Sequence, residues 1–147
     1  MSEETDPPWP ELELLSAPSP EHRVAILQAL VEYNQSSGPG SRSQPLAIVV
    51  RDQGGAVSGG LWAHSLYDWL VVELLVVPES LRGQGLGSRL LASAEEEARK
   101  RGCVGVWLDT FSFQARGFYE RNGYSVCGTI PDHPVGGSRY FLSKRLA

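Results

Sequence analysis

The run Leu70-Val71-Val72-Glu73-Leu74-Leu75-Val76-Val77, the turn Pro78-Glu79-Ser80-Leu81 and the segment Arg82-Gly83-Gln84-Gly85-Leu86-Gly87-Ser88 decide the fold. The first reads as a strand, and the glycines of the third open a helix. Glycine lets main chain approach a ligand closely, and the first N–H groups of a helix have no partner inside it and carry partial positive charge. Together they make a phosphate cradle. The helix continues to Lys100: Leu86, Leu90, Ala94 and Ala98 recur on one face, and Glu95, Glu96, Arg99 and Lys100 are expected to face water. Lys100 and Arg101 suit its C-terminal dipole, and Gly102 ends it.

The glycine spacing discriminates among phosphate ligands. The dinucleotide fingerprint G-x-G-x-x-G is matched poorly, since Ser88 and not glycine follows Gly87. A nucleotide P-loop needs a lysine after its last glycine, and none occurs between Gly83 and Arg99. The segment resembles motif A of the GNAT superfamily of acyl-CoA-dependent N-acetyltransferases, R/Q-x-x-G-x-G/A, filled by Arg82, Gly85 and Gly87. A second motif agrees: Ala115-Arg116-Gly117-Phe118-Tyr119-Glu120-Arg121-Asn122-Gly123-Tyr124 is similar to the family's A-x-x-L/F-Y-x-x-x-G-F/Y, one strand further on. There are two departures: Ser112 stands where the family commonly has asparagine, and the turn Pro78–Leu81 is one residue longer than the commonest family version.

Outward from this centre, Leu46–Arg51 and Ala56–His64 form a hairpin across Asp52-Gln53-Gly54-Gly55, and a turn at Ser65–Asp68 leads into the central strand. Upstream, Ser19 caps a helix with Pro20 at its first position and Val24, Leu27, Leu30 and Val31 at helical spacing. Glu11–Leu15 is a weak first strand, and residues 1–10, with three prolines and three acidic residues, are expected to be a loose tail. Downstream come a strand at Val104–Thr110, a short helix at Ala115–Arg121, and strands at Tyr124–Thr129 and Arg139–Lys144. The expectation is a tail over 1–10 and one α/β domain over 11–147. The resemblance implies a GNAT-like mixed sheet in the order strand, helix, three strands, helix, strand, helix, two strands, with strands four and five parallel and splayed.

Composition narrows the function. With 13 basic and 17 acidic residues the net charge is −4 and no basic stripe exists, so nucleic acid is not an expected partner. The longest apolar run, Trp69–Val77, is interrupted by Glu73 and falls short of the ~20 residues of a membrane helix. Cys103 and Cys127 make neither a disulfide framework nor a metal knuckle, and His22, His64 and His133 fit no metal spacing. A soluble, cytoplasmic protein without a metal is expected.

The resemblance implies acetyl-CoA as co-substrate and direct attack by an amine, in a ternary complex and without an acyl-enzyme. Main-chain groups from Gly83 to Ser88 (Gln84, Gly85, Leu86 and Gly87 between them) would hold the pyrophosphate with help from Arg82. Leu75, Val76 and Val77 would pair with the pantetheine arm, and Ser112 would stand beside it. Tyr119 is the implied general acid. Glu73 is a lone carboxylate in an apolar strand, which alternation sets on the face of Val71, Leu75 and Val77; it is either a structural carboxylate or the general base. Trp62, His64, Tyr67, Asp68, Trp69, Asp132 and His133 are candidates to line the acceptor site. The acceptor is a small-molecule or peptide amine, and homodimers are common in the family. The competing reading is a catalytically silent domain that binds acyl-CoA as a sensor.

Overall fold

In the computed structural model, which describes residues 10–147, six strands form one sheet in the order β1-β2-β3-β4-β6-β5. The strands are β1 (Gln44–Arg51), β2 (Val57–Leu66), β3 (Trp69–Val76), β4 (Gly105–Phe111), β5 (Ser125–Pro131) and β6 (Ser138–Arg145). Helices are α1 (Pro20–Ser37), α2 (Leu86–Lys100) and α3 (Arg116–Arg121). The chain divides into two compact units, one ending at Gly40 and one spanning Ser41–Ala147. In the first, Ser19 precedes α1 with extended backbone and its N–H donates to His22 Nδ1 at 3.0 Å, so the cap forms where the sequence puts it. Apart from Pro10, the tail expected over 1–10 lies outside the described residues.

Glu11–Leu15 is not a strand. Leu12 and Leu14 alternate with Glu11 and Glu13, but both leucines are exposed, and alternation without a partner edge leaves the main chain unpaired. The sheet therefore has six strands among the described residues and not seven.

In Ser41–Ala147 the antiparallel meander β1-β2-β3 is set by its turns. Tyr67 and Asp68 join β2 to β3 with φ of 47° and 66°, the left-handed pair that matches the twist of a two-residue hairpin. β3 then pairs in parallel with β4, which is reached through α2. β4 pairs antiparallel with β6, and β6 with β5.

One irregularity reorganises β3. Val72 pairs with Ala63 and Leu74 with Trp62, which leaves Glu73 as an extra residue, a β-bulge. The bulge shifts the side-chain phase by one. Leu70, Val72, Leu75 and Val77 all join the helix-side core, and Glu73 falls on the opposite face with His64. Regular alternation, which sets Glu73 on the face of Leu75 and Val77, is thereby corrected.

The core lies between the sheet and α2. Leu90, Leu91, Ala94 and Ala98 are buried against Leu61, Ala63, Leu70, Val72, Val106, Leu108 and Leu142. Glu95, expected in water, is 6% exposed. Its carboxylate accepts from Lys144 Nζ through both oxygens, and the same ammonium donates to the Asn122 carbonyl at 3.0 Å. This ion pair ties α2 to β6. It offsets the desolvation of Glu95, which the 3.6-residue period puts beside Leu91 and Ala98 on the inner face.

Glu95→Ala should therefore cost about 2–3 kcal/mol, less than the 3–5 kcal/mol typical of a fully buried pair because the Lys144 side chain is 28% exposed. Thermal denaturation should show a fall in Tm of roughly 6–12 °C. Adding Lys144→Met should restore part of it, and an unchanged Tm in Glu95→Ala would show that the pair ties nothing.

Candidate active site

The parallel ladder between β3 and β4 has four pairs: Trp69–Gly105, Leu70–Val106, Val71–Trp107 and Val72–Leu108. Beyond Val72 and Leu108 the strands part. The first residue past the last pair is acidic on both strands, Glu73 on β3 and Asp109 on β4. Glu73 stands 3.3 Å from His64, Oε2 to Nδ1, and its side chain is 46% exposed. Asp109 is held by Arg139, whose Nε and Nη2 both point at Oδ2, at 2.7 and 2.6 Å. The Arg139 guanidinium lies over the rings of Phe111 and Phe141, which fixes it against the sheet.

On the helix side, the gap opens into a cleft of ≈ 530 Å³. Leu75, Val76, Val77, Arg82, Gly83, Gly85, Leu86, Gly87, Ser88 and Tyr119 line it, with Ala115, Phe118 and Arg121 closing the far wall. Gly83 and Gly85 have φ of 78° and 81°, which a side chain would strain. Gly85 is the residue before α2, so the N–H groups of Leu86, Gly87 and Ser88 are the free first-turn donors and open towards the cleft. Gly87 serves packing: a Cβ there would lie 2.9 Å from Phe118 Cζ, so its absence lets α3 close on α2. Arg82 is anchored by Nε, which donates to the Val77 carbonyl at 3.2 Å.

Tyr119 is 9% exposed and packs edge-on against Phe118 and Tyr124. Burial, and then the negative charge of Asp109, push its phenol pKa above the ordinary value. The group is thus kept protonated. Asp109 itself had no sequence signal beyond being acidic in a strand, since its importance comes from where the ladder ends. Arg139 was equally invisible.

Two predicted residues lie apart from the cleft. Gln84 is not among its lining residues. Ser112 clasps β4 to β6: its N–H donates to the Ser138 carbonyl at 2.8 Å, and its Oγ accepts from Ser138 N–H at 3.0 Å. Of the acceptor candidates, Trp62 and His64 share the face of Glu73, and the His133 ring meets Phe111 edge-on at the splayed end. Trp69 covers Gly105, and Tyr67 and Asp68 form the turn at the closed end of the ladder. Burial raises the Cys103 pKa, which disfavours a thiolate nucleophile. Among the described residues no group of three His, Cys, Asp or Glu could hold a metal, and no helix is long and apolar enough to cross a membrane.

The sheet is mixed, and its two parallel strands part beside the first turn of α2. The Acetyltransferase (GNAT) family model matches residues 8–124. The chain is similar to an acetyltransferase of Agrobacterium fabrum, 44% identical over 126 residues, covering 86% of this chain and 92% of that one. It is also similar to the blasticidin-S acetyltransferase of Streptomyces morookaense, 48% identical over 93 residues, 63% of this chain and 68% of that one. Among solved structures, an acetyltransferase from Bacillus cereus ATCC 14579 superposes with a TM-score of 0.78 at 33% identity, over 91% of this chain and 98% of that one. An aminoglycoside 6′-N-acetyltransferase that holds coenzyme A shares the fold, with a TM-score of 0.61 at 23% identity over 69% of this chain and 72% of that one. The chain belongs to the GNAT superfamily of N-acetyltransferases and is an acetyltransferase.

The two glycines at the cradle should respond differently to substitution. Gly87→Val drives its side chain into Phe118 and should lower Tm by several degrees. Gly85→Ala meets nothing within 4 Å and should cost only the left-handed backbone penalty, about 1–2 kcal/mol. A wild-type Tm in Gly87→Val, measured by thermal denaturation, would contradict the packing role of Gly87.

Proposed function

We propose that the chain transfers the acetyl group of acetyl-CoA to the amine of a small cationic molecule, by direct attack in a ternary complex. The observation that carries this is the splay itself: a phosphate cradle and Tyr119 lie on its helix side, and Glu73 lies on the other face. Donor and acceptor would then approach one gap from opposite sides. The exposed carboxylate of Glu73 favours a cationic acceptor, and the relative named for blasticidin-S supports a small-molecule one. Residues 11–147 would act as one domain, a reading supported by the family match, which runs across the boundary at Gly40. Two free cysteines fit a reducing, cytoplasmic setting.

In this reading the free N–H groups of Leu86, Gly87 and Ser88 bind the pyrophosphate, and Arg82 adds charge. The pantetheine arm runs along Leu75–Val77. Glu73 takes one proton from the acceptor ammonium. The freed nitrogen attacks the thioester carbonyl, the C–S bond breaks with its electron pair leaving on sulfur, and the new amide nitrogen gives up its surplus proton to water. Tyr119 donates a hydrogen bond to that sulfur. Even an unshifted phenol, at about 10 against about 8.5 for a thiol, gives up its proton uphill by roughly 2 kcal/mol, so the proton stays mostly on oxygen. The effect should fall at the lower end of the range for acid catalysis.

Tyr119→Phe should therefore lower single-turnover kcat by about 10²-fold, with KM for acetyl-CoA little changed. Because the phenol pKa is raised, the neutral donor persists through ordinary alkaline pH, and the wild-type basic limb below about pH 10 should be identical in the variant. A wild-type rate in Tyr119→Phe would make it a packing residue. Calorimetry should also show acetyl-CoA binding weakened at least tenfold in folded Gly85→Ala, and unchanged affinity would remove the cradle. Turnover across an amine panel tests the whole reading, because coenzyme binding without acetylation of any amine would favour the sensor.

A further inference from the structure

We propose that His64 is a positioning residue for Glu73, its Nδ1 edge set against Glu73 Oε2 so that the other carboxylate oxygen is presented to the acceptor ammonium. The inference rests on the reading of Glu73 as general base.

The geometry comes from the bulge. In register, His64 on β2 is opposite Val71 on β3, two positions before Glu73. An unbulged strand would pair Glu73 with Trp62. The extra residue instead gives Trp62 to Leu74 and brings the Glu73 carboxylate to 3.3 Å from His64 Nδ1. Neither side chain has another polar partner among the described residues. A half-exposed glutamate with three free torsions is a poorly aimed base. A misplacement of about 1 Å can cost 10²-fold in rate. The His64 side chain is 27% exposed and rooted in the middle of a paired strand, so it is the stiffer of the two. The 3.3 Å contact is an ion-pair distance without hydrogen-bond alignment, and catalytic contacts often align only when substrate orders them.

The other charged groups on this face of Ser41–Ala147 are few. Asp109 and Arg139 on β4 and β6 neutralise each other, Arg145 lies over Trp69, and His133 meets Phe111. From β1, the residues opposite His64 and Trp62 are the uncharged Pro45 and Ala47.

The test uses the full chain with acetyl-CoA and its best amine, with kcat/KM corrected for the amine's own titration. His64→Ala should lower kcat about 10- to 100-fold and leave KM for acetyl-CoA within about twofold. His64→Asn, whose amide N–H replaces Nδ1–H, should recover to within a fewfold of wild type. In a Glu73→Gln background, His64→Ala should have almost no further effect, because a residue that acts only through Glu73 has nothing left to position. Independent, multiplicative losses would make His64 structural and overturn the proposal. So would a wild-type rate in His64→Ala beside a slow Glu73→Gln, which leaves the role of Glu73 standing. A wild-type rate in Glu73→Gln would instead remove the base reading itself, and the proposal with it.

Discussion

The parallel ladder between β3 and β4 ends after four pairs, and the site depends on that ending. Parallel strands with full pairing would form a closed wall between the two faces of the sheet. Here the bulge at Glu73 takes β3 out of phase immediately after Val72–Leu108. Main-chain groups beyond that point, at Leu75–Val77, lack a β4 partner and line the cleft instead. A bulge normally bends and twists the strand that carries it. In this protein it also separates an apolar stripe that packs on α2 from a carboxylate that points away from it.

The separation depends on α2 staying in place. Its first turn presents free N–H groups to the cleft, and its inner face contributes Leu90, Leu91, Ala94 and Ala98 to the core. Glu95 adds a polar lock, since its pairing with Lys144 fixes the helix against β6, the strand that also presents Arg139 to Asp109. Movement of α2 would therefore disturb both sides of the gap. Gly87 extends the coupling to α3, because the Phe118 ring occupies the space that a side chain would need.

Much of this was readable before the structure. Gly83, Gly85 and Gly87 mark the start of α2 because glycine suits left-handed backbone and contact this close, and Tyr119 is marked by its motif. Glu73 stands out as a charge in an apolar run. The misreadings share a cause: they concern partners distant in sequence. Glu95 looks like a solvated helix residue until Lys144, 49 positions later, is placed beside it. The bulge leaves no trace in β3 alone, because it exists only relative to Trp62 and Ala63. Asp109 becomes notable only because the ladder stops at Leu108. Glu11–Leu15 has the alternation of a strand, but pattern cannot supply an edge to pair with.

The two faces of the gap offer different solvents, and the roles proposed for the groups on them differ accordingly. A hydrogen-bond donor to a leaving thiolate must keep its proton at working pH, and burial with a nearby anion would do this for Tyr119. A base must take a proton and release it to water in each cycle, which a buried carboxylate does slowly and at the cost of its charge. Glu73 is nearly half exposed, on the face away from the core, so exchange is unobstructed. Exposure costs aim, because a solvated carboxylate samples many rotamers. A stiff neighbour on the adjacent strand restores aim without removing water, and His64 is the side chain that the bulge brings within reach.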